Sequence, residues 1–360
     1  IKTEIEARGG TASTAEFFAL VEDAKAGKLD PEITLLSDDQ REALIDRHGF
    51  YAQVALTHQL PDTDPARAEL VSGGGTLVAV LVIAGLGGAA AILAGCVLFV
   101  LGMILMGTGK LRSRFAPPEP GGSVMLEVFC WFVGGFLVVS LGSDLIARVV
   151  RTSDPTATWP AMVPLFAQWL LLLAPLWPLL RGVSRADLAR LLGWNTGRGL
   201  FKEIGFGFLA YLAGLPVFLA AVIATLGLIT LVDVITGGSA APTSSPVVEL
   251  VAGGSTLSLV LIFMLATIWA PFCEELVFRG ALQRHIRARL AGPLAILATA
   301  AVFGFMHGYG PLFVLPLIAL GFVFGAMREL RGTIIPSITA HFLHNATVLT
   351  LVITIVQLTN

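Results

Sequence analysis

Apolar positions in this chain come in long, nearly unbroken blocks, not in the one-sided stripes of a helix lying against a soluble core. Eight blocks, at roughly 76–106, 123–147, 160–180, 204–234, 255–273, 291–308, 311–327 and 333–356, are near or above the about 20 residues a helix needs to cross a bilayer. The first is long and glycine-rich, so part of it is expected to project beyond the bilayer. The pattern predicts an all-α, polytopic membrane helix bundle of about eight spans. Residues 1–69 read differently. Ser13 with Glu16, and Ser37 with Gln40, form the S-x-x-E/Q capping box that opens a helix. Periodic apolar residues follow each box: Phe17, Leu20 and Val21, then Leu44, Ile45 and Tyr51. The stretch Pro61–Glu69 reads as a linker. Three regions result: a small helical soluble segment with its linker (1–69), N-terminal membrane spans (70–250) and a membrane core (251–360) that holds the polar motifs described below.

Composition agrees with the pattern. The chain is 55% hydrophobic and 13% charged, with a mean hydropathy of +0.82, whereas a soluble domain is about 25% charged. Charge is unevenly placed: residues 1–69 hold 7 Lys+Arg against 14 Asp+Glu, and the remainder 16 against 11. Neither part has the dense basic surface of a nucleic-acid binder, so no nucleic-acid partner is expected. With loops assigned alternately, one side receives 14 basic residues, from Lys110 to Arg331. The other receives only Arg148 and Arg151 in its short loops, and the Gly/Ser/Pro-rich loop 236–254 has none. The positive-inside rule then puts the basic side in the cytoplasm and both termini, with the acidic head, outside. Cys96, Cys130 and Cys273 lack the spacing of a zinc site, and Cys273 reads as a small apolar residue filling a helix interface.

Three polar motifs interrupt the last spans. Ionisable groups at membrane depth cost about 2.5–3.5 kcal/mol each on insertion scales, so they stay mainly where they do something. In CEELVFRG (273–280), Glu275 and Arg279 share a helix face at i, i+4 and are expected to pair, which leaves Glu274 free to act as a general base. His307 closes FGFMH. In HFLHN (341–345), His341 and Asn345 project from one face and supply donors that suit a water or an oxyanion. Other ionisable residues in or near spans, Glu127, Asp144, Asp233 and Glu249, read as structural or interfacial, with Asp144 expected to pair with Arg148.

E-E-x-x-x-R (Glu274, Glu275, Arg279), F-x-x-x-H (Phe303, His307) and H-x-x-x-N (His341, Asn345) together resemble the CPBP family, intramembrane glutamic endopeptidases that include type II CAAX prenyl endopeptidases and Abi-like proteins. The resemblance covers about residues 255–350. It implies a catalytic membrane core and a peptide hydrolase in which Glu274 activates water and His307 orients it. His341 and Asn345 would stabilise the oxyanion, and Glu275 with Arg279 would support the site. It also implies no cofactor, with zinc an alternative because Glu and His are zinc ligands. The implied partners are the bilayer and a membrane-associated peptide or protein, cleaved toward the cytoplasmic side of the cell membrane. Other readings of the same residues are a non-catalytic membrane partner that retains the fold, and a proton-coupled transporter.

Overall fold

The computed structural model describes residues 38–237 and 256–359, apart from residues 49, 58, 59, 62, 120, 121, 155, 158 and 309. The capping boxes at Ser13 and Ser37 and most of the loop 236–254 lie outside these residues. Among the described residues the structure is all helical. In chain order the helices are α1 (Asp38–His48), α2 (Phe50–Thr57), α3 (Pro65–Gly107), α4 (Val124–Ser153) and α5 (Trp159–Leu180). After these come α6 (Arg185–Leu192), α7 (Leu200–Thr236), α8 (Thr256–Arg287), α9 (Gly292–Met306), α10 (Val314–Arg331) and α11 (Ile335–Thr359).

The chain divides into two units. One comprises Ile1–Gly85 and Thr354–Asn360, the other Leu86–Ile353. In the first, α3 starts at Pro65 and not after Glu69 as the linker reading expected. Asp64 Oδ1 accepts from the Ala66 N–H at 2.9 Å, and proline at a first helical position gives up only an N–H that has no partner there.

In the second unit, helix ends follow local chemistry. Ser184 caps α6 by accepting from the Asp187 N–H. Left-handed glycines close α6, α7 and α10 at Gly193, Gly237 and Gly332. Helix α5 contains Pro160, Pro164, Pro175 and Pro178, and two of its stretches, Trp159–Ala161 and Gln168–Leu176, tighten to 3-10 geometry where proline removes helical hydrogen bonds.

Among the described residues six helices are long and apolar enough to cross a membrane: Gly75–Gly107, Val124–Ser153, Trp159–Leu180, Leu200–Thr236, Thr256–Arg287 and Ile335–Gln357. Large apolar side chains such as Leu93 and Val97 on α3 are 69% and 68% exposed, as a lipid-facing surface requires. The two remaining predicted spans are α9 and α10, which form an antiparallel hairpin. Close approach is allowed by Gly304, set against Ile318, and by Gly321, set against Ala300. Helix α9 has 15 residues, about 22 Å at 1.5 Å per residue. That is short of the about 30 Å hydrocarbon core, so α9 by itself does not reach across it.

Three side chains of α8 bond to α10 at one constant offset. Arg279 Nη2 donates to the Gly321 carbonyl (3.2 Å), Gln283 Nε2 to the Gly325 carbonyl (3.0 Å), and Arg287 Nε to Glu329 Oε1 (3.2 Å). The two segments therefore run parallel, in register. Two of the fourteen residues counted as basic loop positions, Arg279 and Arg328, are buried inside the unit. Asp144 does pair with Arg148, at 2.9 Å, and Glu127 accepts from Ser123 and the Trp177 indole.

Helix α7 packs on α11 at Gly207, where a Cβ would come 2.6 Å from the Pro336 carbonyl oxygen and 2.9 Å from its Cα. Backbone cannot yield as a flexible side chain does. Gly207→Val is therefore expected to destabilise the protein by about 1–3 kcal/mol, read as a lowered unfolding midpoint in detergent. Gly205, whose Cβ position meets nothing within 4 Å, should tolerate the same change.

Candidate active site

Helix α8 leaves α-helical geometry twice, as π turns at Leu265–Trp269 and Glu275–Leu282. Insertions of this kind re-aim side chains and recur at functional sites. Here they bracket Glu274. This stretch of α8 packs against α4, α5 and α9 through Trp269, Cys273 and Phe278, which meet Phe132, Leu171 and Phe303 in one buried cluster. Cys273 is fully buried within it.

Glu275 and Arg279 are both fully buried and pair through Oε1 and Nη1 at 3.0 Å. The guanidinium also lies 4.3 Å from the Phe303 ring and 5.2 Å from the Phe324 ring, so its faces are covered by π clouds and its edge by Glu275 and Gly321. Glu275 Oε1 also meets His341 Nδ1 at 3.0 Å. A carboxylate paired to arginine is an acceptor, so His341 donates from Nδ1. Phe324 stacks on the His341 ring at 5.1 Å with 24° between planes.

His307 is fixed by similar logic. Its Nδ1 lies 2.7 Å from the Phe303 carbonyl oxygen, which can only accept, so Nδ1 carries the proton. Both imidazoles then turn Nε2 toward Glu274. His341 Nε2 is 3.9 Å and His307 Nε2 4.0 Å from Glu274 Oε2. That oxygen is buried without a hydrogen-bond partner among the described residues. Oxygen-to-nitrogen gaps near 4 Å are too long for a direct bond and suit one water, about 2.8 Å from each side.

Asn345 occupies the next turn of α11, and its Nδ2 donates to the Ala266 carbonyl at 2.8 Å, in the first π turn of α8. That bond ties α11 to α8 and holds one of the two amide hydrogens. His344 sits elsewhere, 3.4 Å from the Tyr211 hydroxyl and 5.1 Å from the Phe218 ring of α7. The structure thus gathers Glu274, Glu275, Arg279, His307 and His341 into one cluster, with Asn345 bonded beside it.

Some supporting residues carry weak sequence signals. Phe324 looks like any lipid-facing apolar residue until the fold puts it on His341. Gly321 and Gly325 form a small-xxx-small pattern that signals close helix approach. Gln283, fully buried on α8, follows Arg279 by one turn and could have been found as a second polar residue on the same face. An apolar cavity of about 370 Å³ lies among α7, α8 and α11, lined by Ile204, Phe208 and Phe342 and by Pro271 and Phe272, which shortly precede Glu274 in the chain.

If the buried network acts as a unit, removing the cation alone leaves Glu275 uncompensated. Arg279→Ala is expected to cost about 3–5 kcal/mol of stability. The double variant Arg279→Met/Glu275→Gln should recover part of that loss in detergent unfolding curves, a non-additivity that unconnected positions would not show.

Residues 256–347 match the family model described as type II CAAX prenyl endopeptidase Rce1-like. The matched segment contains all seven motif residues and is consistent with the CPBP resemblance drawn from them. The segment is thus similar to CAAX-type intramembrane protease domains, and it lies in a chain with several helices able to span a membrane. No curated protein and no solved structure matches the chain.

Proposed function

On the premise that 256–347 is a CAAX-type peptidase domain, we propose that the protein is a glutamic endopeptidase. It hydrolyses a peptide bond of a membrane-associated substrate with water activated by Glu274. The observation that carries this reading is the convergence of three acceptor atoms, Glu274 Oε2 and the Nε2 atoms of His307 and His341, across gaps of 3.9 and 4.0 Å. One water between them has two hydrogens to give and three acceptors to choose from. Its lone pairs are pushed outward, toward a substrate carbonyl.

The step follows from that arrangement. The water oxygen bonds to the carbonyl carbon while a water proton passes to the Glu274 carboxylate, and the carbonyl electron pair becomes the oxyanion. Collapse breaks the C–N bond, and the proton held by Glu274 goes to the departing amine. His341 Nε2 accepts the hydrogen that the attacking water keeps, and Glu275 on its Nδ1 side holds the ring in that orientation as the acid of a catalytic triad does. The second amide hydrogen of Asn345 is the donor offered to the oxyanion. The apolar cavity among α7, α8 and α11 fits an extended or lipid-modified segment that arrives through the bilayer.

Glu274→Gln keeps shape and insertion but removes the base. Cleavage is expected to fall by about 10²–10⁴-fold, read by mass spectrometry of membrane peptides from wild-type and variant cells. Equal processing in the two would overturn the proposal and favour a non-catalytic membrane partner.

A second reading is a zinc peptidase, since Glu and His are zinc ligands, although among the described residues no group of three such side chains is placed to hold a metal ion. A strong chelator separates the two. The glutamate mechanism expects unchanged activity, whereas loss of activity that returns with Zn²⁺ would replace it.

A further inference from the structure

A second polar cavity lies well away from Glu274 in sequence and composition. It has a volume of about 280 Å³ and is lined by Lys110, Arg112, Arg114, Arg198 and Arg331 together with Ser113 and its neighbours. Among the described residues Arg331 alone of these cations has a close carboxylate partner: Glu203 accepts from its Nε at 2.7 Å and its Nη2 at 2.6 Å. Glu203 Oε1 also accepts the Arg198 N–H at 2.8 Å, so this single acid serves one wall of the cavity. Among the described residues no ion pair engages Lys110, Arg112 or Arg114, and all three side chains are exposed. Glu329, which bonds to Ser113 of the same loop, is already taken by Arg287.

Like charges gathered this closely repel, and the loop bearing them is held in place by the fold. The Arg114 and Phe115 N–H groups both donate to the Glu329 carbonyl, at 2.9 and 3.0 Å, and the Leu111 N–H to the Leu105 carbonyl at 2.9 Å. Phe115 is buried, with the Arg328 guanidinium 4.7 Å from its ring. The backbone therefore presents its cations in a fixed cup. The cup sits where α3 and α10 end and where α7 and α11 begin, the level at which spans leave the hydrocarbon and lipid phosphates lie.

We propose that this cup binds the phosphate of an anionic phospholipid headgroup. Arginine forks match phosphate oxygens, and basic pockets at the ends of membrane helices are the general solution for holding anionic lipids. The site is separate from the peptidase chemistry, and its test does not involve catalysis.

The full chain, purified in neutral detergent, is titrated with dioleoyl phosphatidylglycerol or dioleoyl phosphatidylcholine, with lipid retention read by native mass spectrometry and the unfolding midpoint in parallel. Saturable phosphatidylglycerol retention is expected, weakened by salt. Lys110→Gln/Arg112→Gln/Arg114→Gln should weaken it by about a hundredfold, at about 1 kcal/mol per charge, while Arg112→Lys/Arg114→Lys retains most of it. The substituted side chains are exposed, so the lipid-free midpoint should stay near wild type. Equal retention of phosphatidylcholine, or undiminished phosphatidylglycerol binding by the triple Gln variant, would overturn the proposal. So would inorganic phosphate raising the midpoint as much as the lipid does, which would mark a free-anion site.

Discussion

The buried ion pair between Glu275 and Arg279 is the constraint on which the rest of the domain depends. A lone charge placed among Phe278, Phe303 and Phe324 would be heavily disfavoured, and an ion pair alone still leaves donors and acceptors unmet. Here each remaining contact links another element. The guanidinium reaches the Gly321 carbonyl of α10 and the ring of Phe303 on α9. The carboxylate reaches His341 on α11. One pair on α8 thus sets the register of three neighbouring helices. It also fixes the tautomer of the imidazole that faces Glu274.

Two adjacent glutamates accordingly differ in character. Glu275 Oε1 is engaged by both Arg279 and His341. Glu274, one residue earlier, turns an oxygen toward two imidazole nitrogens and bonds to neither. The π turns that begin after Met264 and at Glu275 make that divergence possible, since they change the angle between successive side chains along the helix. A single peptide unit separates the carboxylate that joins the helices from the one that faces the imidazoles.

Much of this was legible in the chain, and the remainder was not for identifiable reasons. The Glu275–Arg279 pair follows from i, i+4 spacing, and the span helices follow from hydropathy alone. Hydropathy is blind to length within the bilayer, so α9 and α10 read as two ordinary spans although α9 is too short to be one. It is equally blind to π turns, which change register without changing composition. The His341–Glu275 bond joins residues 66 apart, and the Glu203–Arg331 pair residues 128 apart. No local pattern encodes such separations. Arg279 and Arg328 looked like loop cations because basic residues usually are, and only packing shows their carbonyl and aromatic surroundings.

The brevity of α9 has a consequence for where His307 stands. That residue follows the last one of the helix, so the number of turns between Gly292 and Met306 works as a gauge of how far the imidazole lies from the α8–α9 connection. One added turn would carry it about 5.4 Å farther, past the level of Glu274. Variation in the length of this one helix would therefore undo the alignment of His307 with His341 across that carboxylate.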